Sequence, residues 1–227
     1  MTLNSVQSPD AMLKDPDVRG EKRLFASIIG IAASYLLGSV SFSILMARWL
    51  KKIDIRQHGS GNAGATNTLR VLGKGPALAV FLLDIAKGVA AVLIGRWLGD
   101  DEWVPVVCGL AAIIGHNWPI FFRFKGGKGI ATTIGVVAIL AFVPSLISGA
   151  VAIAAIALTR YVSLGSLLFA LLLPILAASF GCDDYVVWGA VVIALLAVYR
   201  HRSNIVKLAK GTENKLGGGK KNEQHGA

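Results

Sequence analysis

Residues 124–129, Phe-Lys-Gly-Gly-Lys-Gly, place two lysines and three glycines between two apolar runs. Glycine lets the backbone turn sharply and lets its N–H groups approach a ligand closely, and lysine supplies a compact positive charge. At a helix terminus such a segment can bind phosphate. The spacing lacks the Gly-x-x-x-x-Gly-Lys-Ser/Thr pattern of nucleotide hydrolases. The segment therefore predicts a phosphate-binding site, and nothing in its spacing indicates nucleotide hydrolysis.

A second polar segment, 58–70, contains three glycines, two asparagines, a serine and two threonines, and it ends in an arginine. Ser60 and Asn62 are suited to hydrogen-bond a hydroxyl or a phosphate. Arg70 presents a planar fork of donors that matches phosphate oxygens. We interpret this segment as a substrate-binding turn.

Two further stretches, 160–166 and 200–215, complete the polar part of the chain. His201 and Asn204 are three residues apart and share a helix face, whereas Arg202 points elsewhere. Lys128 is a stronger ligand candidate than His116, because a lone histidine in a helix is more often structural.

The elements that position these residues are predicted to be membrane helices. Of the 227 residues, 54% are hydrophobic and only 16% are charged, against roughly 25% charged in soluble domains. Several apolar runs approach the roughly 20 residues that span a bilayer. We predict an all-α, polytopic bundle of about seven spans, at 25–49, 77–98, 103–122, 129–142, 145–159, 164–180 and 185–199. The fourth and fifth meet in a tight hairpin at Pro144, and five spans with a re-entrant middle pair is the alternative.

The charges between the runs predict an orientation. Basic residues follow the first, third, fifth and seventh runs, whereas acidic residues at 100–102 and 183–184 follow the second and sixth. By the positive-inside rule the N-terminus is outside and the C-terminus is cytoplasmic. All three polar segments then lie on the cytoplasmic face.

Other functional classes receive little support. The net charge of +10 is spread over loops without an aromatic stacking pattern, which argues against nucleic-acid binding. Cys108 and Cys182 have no CxxC partner, so we expect no metal site and no disulfide framework. We predict a polar N-terminal extension at 1–23, a membrane domain at 24–215 and a disordered tail at 216–227.

The polar segments together resemble one family, the bacterial acyl-phosphate:glycerol-3-phosphate acyltransferases, also called the PlsY family. The first match is Gly-Ser-Gly-Asn-Ala-Gly-Ala-Thr-Asn at 59–67 with Leu-Arg at 69–70. The second is Gly-His at 115–116, Pro119, and Phe-Lys-Gly-Gly-Lys-Gly-Ile-Ala-Thr at 124–132. The third is His-Arg-Ser-Asn-Ile at 201–205, with Gly211, Glu213 and Lys215. The extension before Leu24 is longer than is usual for the family, and Lys207 replaces a more usual arginine.

The resemblance implies transfer of a fatty acyl chain from acyl phosphate to the sn-1 hydroxyl of glycerol 3-phosphate at the bacterial inner membrane, with the site facing the cytoplasm. It implies a catalytic set that handles glycerol 3-phosphate: Ser60, Arg70, Lys128, His201 and Asn204. It also implies a substrate-binding set: Asn62, Thr66, Asn67, His116, Lys125, Gly126, Gly127, Ser163, Ser166, Arg202 and Glu213. The acyl phosphate would rest on the backbone of Gly126 and Gly127. Membrane lipids are expected partners, no cofactor is expected, and a monomer is one option for an oligomeric state that stays open.

The general base has two candidates. No histidine is followed by the His-x-x-x-x-Asp pattern of another acyltransferase family. Either His201 accepts the proton, or a substrate phosphate does. The second is favoured because no nearby carboxylate is available to orient the histidine.

Two other functional classes stay open at this point. A transporter of a phosphorylated compound would use the same cations, and Asp84 and Lys87 are charges well inside a span. Their spacing predicts that they simply pair, and no inverted repeat is evident. A lipid-binding scaffold is the third reading.

Overall fold

The computed structural model describes residues 16–99 and 101–217, and within these ranges all regular structure is helical. The helices are α1 (Pro16–Gly38), α2 (Phe42–Lys51), α3 (Ala65–Leu72), α4 (Lys74–Leu98), α5 (Trp103–Asn117), α6 (Ile130–Leu140), α7 (Phe142–Thr159), α8 (Val162–Ser179), α9 (Asp184–Arg200) and α10 (Arg202–Ala209). The all-α prediction is confirmed. Residues 1–15 of the predicted extension, Asp100 of the acidic turn and residues 218–227 of the predicted tail lie outside the described residues.

Five segments in the described part of the chain are long and apolar enough to cross a membrane. They are Gly20–Lys51, Lys74–Leu98, Trp103–Phe122, Phe142–Thr159 and Val162–Ser179. A sixth arises if α9 and α10, which meet at a bend of 62°, are counted as one broken span. These segments confirm a multi-pass membrane bundle. The count of seven and the orientation of the termini stay predictions.

The predicted fourth span is the short helix α6. Its 11 residues extend only about 16 Å at 1.5 Å per residue, about half of the hydrocarbon core. It is separated from α7 by Ala141 alone, which gives the tight turn expected near Pro144. That proline lies in the first turn of α7, where its missing N–H has no helical partner to lose.

The first span differs from the predicted single helix over 25–49. It begins as α1 at Pro16, within the predicted polar extension, and it is interrupted between Gly38 and Phe42 before continuing as α2. The hydroxyl of Ser39 donates to the carbonyl oxygen of Tyr35 at 2.9 Å. A hydroxyl that bonds the carbonyl four residues back favours a bend in the helix, which accords with the interruption that follows.

Small residues set the spacing of the bundle. Helix α1 packs on α5, α4 packs on both α5 and α6, and α8 packs between α7 and α9. A side chain added at Gly38 or Gly115 would collide with the backbone of the facing helix, so α1 and α5 approach closely only because both are glycine. Large apolar side chains such as Trp97 and Leu158 are exposed on the outside, as expected for helices that face lipid. The loops and helix ends then enclose the site.

Candidate functional site

A cavity of about 770 Å³ lies among the described residues. Its polar end is formed by residues from 60–70, 126–131, 200–207 and 213–214. Its apolar end runs between α4, α6, α7 and α8, where it is lined by Phe81, Ile85, Ile134, Ile153, Ile156 and Phe169. One continuous space therefore joins a polar pocket to an apolar groove.

The cavity gathers most of the residues that the sequence singled out. All five members of the predicted catalytic set line it, as do nine of the eleven predicted substrate-binding residues. The exceptions are Lys125, which is exposed to solvent, and Gly127, which is buried behind the lining. The three sequence segments thus converge on one site although Ser60 and Glu213 are 153 residues apart in the chain.

Asn67 organises the first segment. Its side-chain oxygen accepts the backbone N–H of Ser60 at 2.8 Å, and its amide nitrogen donates to the carbonyls of Ile55 and His58 at 3.1 and 2.9 Å. Gly59 has a φ of +62°, a conformation that glycine adopts without strain. Asn67 therefore positions the turn that carries Ser60, instead of offering its amide to a ligand.

Bonds from other residues to its backbone hold the glycine-lysine segment in place. The N–H of Gly127 donates to the carbonyl oxygen of His116 at 3.1 Å. The Arg200 guanidinium donates to the carbonyl oxygen of Gly127 at 2.6 and 3.0 Å. A β-carbon at Gly127 would collide with the imidazole of His116. The backbone of Gly127 is thus occupied by protein partners, and only Gly126 of this pair faces the cavity.

Lys128 begins a chain of hydrogen bonds that crosses the polar end. Its ammonium donates to the side-chain oxygen of Asn204. The amide nitrogen of Asn204 then donates to Oε1 of Glu213 at 2.8 Å, and the Ser163 hydroxyl donates to the same oxygen at 3.0 Å. Glu213 thereby joins three elements that the sequence separates, and it holds Asn204 with its oxygen towards the lysine.

Arg70 and His201 occupy different environments. Arg70 is exposed at the cavity rim, where its guanidinium approaches the backbone oxygen of Asn214 at 3.5 Å. His201 is only 2% exposed, and its Nδ1 bonds the carbonyl oxygen of Ala197 at 2.8 Å. A carbonyl can only accept, so Nδ1 carries the hydrogen and the neutral ring offers the lone pair of Nε2.

The remaining predicted residues have mainly local partners. Arg202 is exposed, with its guanidinium 4.7 Å from the ring centre of Tyr199. Ser166 donates to the carbonyl oxygen of Val162 at 2.8 Å within α8. Asn62 and Thr66 line the cavity from the first segment.

The sequence reasoning did not place Arg200 and Lys207 in the site, yet both line the cavity. The five cations in its lining are Arg70, Lys128, Arg200, Arg202 and Lys207, against the two acids Asp84 and Glu213. Their position in the sequence could have identified them, since Arg200 and Lys207 flank the His201–Asn204 pair. Within the described residues, no three His, Cys, Asp or Glu side chains gather closely enough to hold a metal ion.

The environment of Lys128 makes its charge sensitive to pH. The pKa of this ammonium is lowered from 10.5 to about 8, chiefly by burial. The Glu213 carboxylate opposes this shift, whereas the nearby cations Arg200, Arg70 and Lys207 contribute to it. A half-buried cation with a single carboxylate nearby in the described part of the chain is well suited to receive an anion.

Comparisons with known proteins give a consistent picture. Residues 28–211 match the model of a family described as glycerol-3-phosphate acyltransferase. The glycerol-3-phosphate acyltransferase of Halalkalibacterium halodurans is 57% identical over 193 residues, covering 82% of this chain and 94% of that protein. The one from Shouchella clausii is 59% identical over 196 residues, covering 84% and 96%.

Solved structures agree with the sequence comparisons. A crystal structure of PlsY, an integral membrane glycerol 3-phosphate acyltransferase, in its glycerol 3-phosphate form has a TM-score of 0.79 at 40% identity, covering 84% of this chain and 95% of that one. The lysophosphatidic acid form has a TM-score of 0.77 at 39% identity, with the same coverage.

Proposed function

This chain belongs to the glycerol-3-phosphate acyltransferase family, and on that premise we propose that it uses acyl phosphate as the donor. The sn-1 hydroxyl of glycerol 3-phosphate attacks the acyl carbonyl carbon, and the bond from that carbon to the phosphate oxygen breaks. The products are lysophosphatidic acid and inorganic phosphate, and the hydroxyl proton ends on phosphate. Acyl phosphate is a mixed anhydride, so the reaction needs neither ATP nor a covalent enzyme intermediate.

The observation that carries this proposal is the two-part cavity. Its polar end presents five cations among the described lining residues, which suits two substrates that each carry a phosphate. Its apolar groove between α4, α6, α7 and α8 suits a long acyl chain. The reacting carbonyl would lie where the groove meets the cations, and donors there would stabilise the tetrahedral oxyanion.

We assign the substrates to opposite sides of the polar end. Glycerol 3-phosphate would contact Ser60, Arg70 and Lys128, with Asn204 and His201 beside it. The acyl phosphate would lie against Thr66, Ser163 and Ser166, next to the backbone of Gly126. Because the backbone of Gly127 is already bonded to His116 and Arg200, Gly126 is the better contact of the two glycines.

A substrate phosphate is the base that the geometry favours. The Nδ1 of His201 bonds the carbonyl oxygen of Ala197, and among the described residues no carboxylate is bonded to the ring to balance the positive charge that it would gain. Lys128 and Arg200, which line the same cavity, would further disfavour that charge. A dianionic phosphate held by cations can accept the hydroxyl proton directly.

Replacing His201 with Ala should therefore leave a measurable reaction. We expect kcat to fall by about tenfold, since lost positioning costs less than the 100-fold to 10,000-fold of a lost general base. The measurement is the steady-state rate of the His201→Ala enzyme, with glycerol 3-phosphate binding measured by calorimetry. Near-complete loss of turnover with unchanged binding would identify His201 as the base.

The proposed location follows from charge. The basic segments that line the site also follow apolar runs in the pattern of cytoplasmic loops. We therefore place the site on the cytoplasmic side of the inner membrane, where a water-soluble acceptor can meet a donor whose chain enters from the bilayer. We also propose that residues 24–215 form one acyltransferase domain.

The choice of donor can be tested with the purified full-length chain in detergent. The enzyme is given radiolabelled glycerol 3-phosphate with either an acyl phosphate or an acyl thioester of the same chain length. We expect lysophosphatidic acid and one equivalent of phosphate from the acyl phosphate only. Product from the thioester alone would overturn the donor assignment.

A further inference from the structure

The proposed mechanism leaves one group of charges without a role. Asp84 and Lys87 lie on α4 and His116 lies at the end of α5, and all three are buried. The Lys87 ammonium is 2.7 Å from Oδ1 of Asp84, which confirms the pairing predicted from their spacing. Charges inside a span are expensive and usually functional, so a pair retained beside the site needs an explanation.

Lys87 is bonded on three sides. Besides Asp84, its ammonium bonds the Nδ1 of His116 at 2.9 Å and donates to the carbonyl oxygen of Val40 at 3.0 Å. Val40 lies in the interruption between α1 and α2. An unwound carbonyl inside a membrane must find a donor, and Lys87 supplies it. Its two hydrogen bonds therefore tie α4 to α5 and to the break in the first span, while the ion pair with Asp84 balances its charge within α4.

His116 transmits this anchoring to the glycine-lysine segment. Because its Nδ1 accepts from Lys87, its Nε2 carries the hydrogen. The imidazole lies directly against Gly127, leaving no room for a β-carbon there, and the His116 carbonyl accepts the N–H of the same glycine. Gly127 is thus held between His116 and Arg200, one residue before Lys128.

We propose that Lys87, with Asp84 and His116, is a positioning residue that fixes the glycine-lysine segment so that Lys128 reaches the substrate phosphate. This inference rests on the proposed function of Lys128. It gives the intramembrane charges a role in acyl transfer in place of a transport pathway. Asp84 and His116 also line the cavity, which places the three residues at the edge of the site.

The test uses the full chain with Lys87→Met, and with the neutral pair Asp84→Asn/Lys87→Met, which leaves no unpaired buried charge. Arg96→Met is the control, because Arg96 is an exposed cation on the same helix with a backbone partner in Ile139. The readouts are the Kd of glycerol 3-phosphate by calorimetry and the KM of each substrate. Calorimetry does not depend on which donor the enzyme uses, so failure of the proposed function stays distinguishable.

We expect both Lys87 variants to weaken binding of glycerol 3-phosphate and to raise its KM by about tenfold to 100-fold, the cost of misplacing a binding group by an ångström. The KM of the acyl donor should rise less, because Thr66, Ser163 and Ser166 would contact it from outside the segment. The Arg96→Met enzyme should be unchanged. In a Lys128→Ala background, Lys87→Met should add little, because the two act through one contact.

A merely structural role would reduce the amount of active enzyme and hence kcat, without moving KM. An unchanged Kd and KM for glycerol 3-phosphate would overturn the proposal. The proposal would also be overturned if the increase in KM of the double variant Lys87→Met/Lys128→Ala equalled the product of the two single increases. Failure of both Lys87 variants to fold would also overturn it, since the network would then support the whole bundle instead of the segment.

Discussion

Replacing Lys128 with Ala should raise the KM for glycerol 3-phosphate by about 100-fold. A charge-assisted hydrogen bond contributes about 1.5–3 kcal/mol, and each 1.4 kcal/mol is about tenfold in affinity. The upper end applies because Lys128 is partly buried and bonded to Asn204, which holds it in place before the substrate arrives. The measurement is the steady-state KM and kcat of the purified variant.

The matched control is Lys210→Ala, because Lys210 is an exposed lysine that does not line the cavity. Its kinetics should equal those of the parent enzyme. An unchanged KM for glycerol 3-phosphate in the Lys128→Ala enzyme would show that Lys128 does not bind its phosphate.

The ionisation of Lys128 should make the reaction with glycerol 3-phosphate depend on pH. The pKa of Lys128 in the free enzyme is about 8, so the fraction that carries a positive charge falls as the pH rises through this value. Phosphate binding needs that charge, and kcat/KM for glycerol 3-phosphate should therefore decline above about pH 8. Lys128→Arg should shift the decline to higher pH, because a guanidinium stays protonated. A decline at the same pH in Lys128→Arg would assign it to another group.

Replacing Arg70 with Ala should raise the same KM by about 20-fold, somewhat less than the loss of Lys128. Arg70 is exposed at the rim and approaches only the backbone of Asn214, so solvent screens part of its contribution. Arg70→Lys should recover only part of the loss, because an ammonium cannot bind two phosphate oxygens as a planar fork does. Kinetics with glycerol 3-phosphate as the varied substrate would measure both.

Lys74→Ala is the control for Arg70. It removes an exposed cation four residues along the chain that does not line the cavity, so it separates a specific contact from a general loss of positive potential. Equal effects of Arg70→Ala and Lys74→Ala would show that only the summed charge matters.

The sequence was sufficient to predict the fold class and most of the helices. Hydropathy and the charges between apolar runs placed α4 to within three residues at each end, because a membrane span has a length that the bilayer sets. The interruption at Val40 could not be predicted in this way. The carbonyl oxygen of Val40 accepts from Lys87, which is 47 residues away in the chain and meets Val40 only in the folded bundle.

The site was predictable to a similar degree. Residue types and the family resemblance identified the segments that line the cavity, because glycines, small polar residues and basic residues occur together there. Which residues of each segment face the cavity and which hold the segment in place was not predictable. Asn67 and Gly127 are residue types that often contact ligands, but their polar atoms bond other parts of the protein. Arg200 had no local signature beyond its position.

We propose that the phosphates of both substrates occupy one cavity and that the acyl group is transferred directly from one substrate to the other. Initial rates of lysophosphatidic acid formation, with acyl phosphate and glycerol 3-phosphate both varied, test this most directly. We expect double-reciprocal lines that intersect, because both substrates must be bound before transfer. Parallel lines would indicate a covalent acyl-enzyme intermediate and would contradict it.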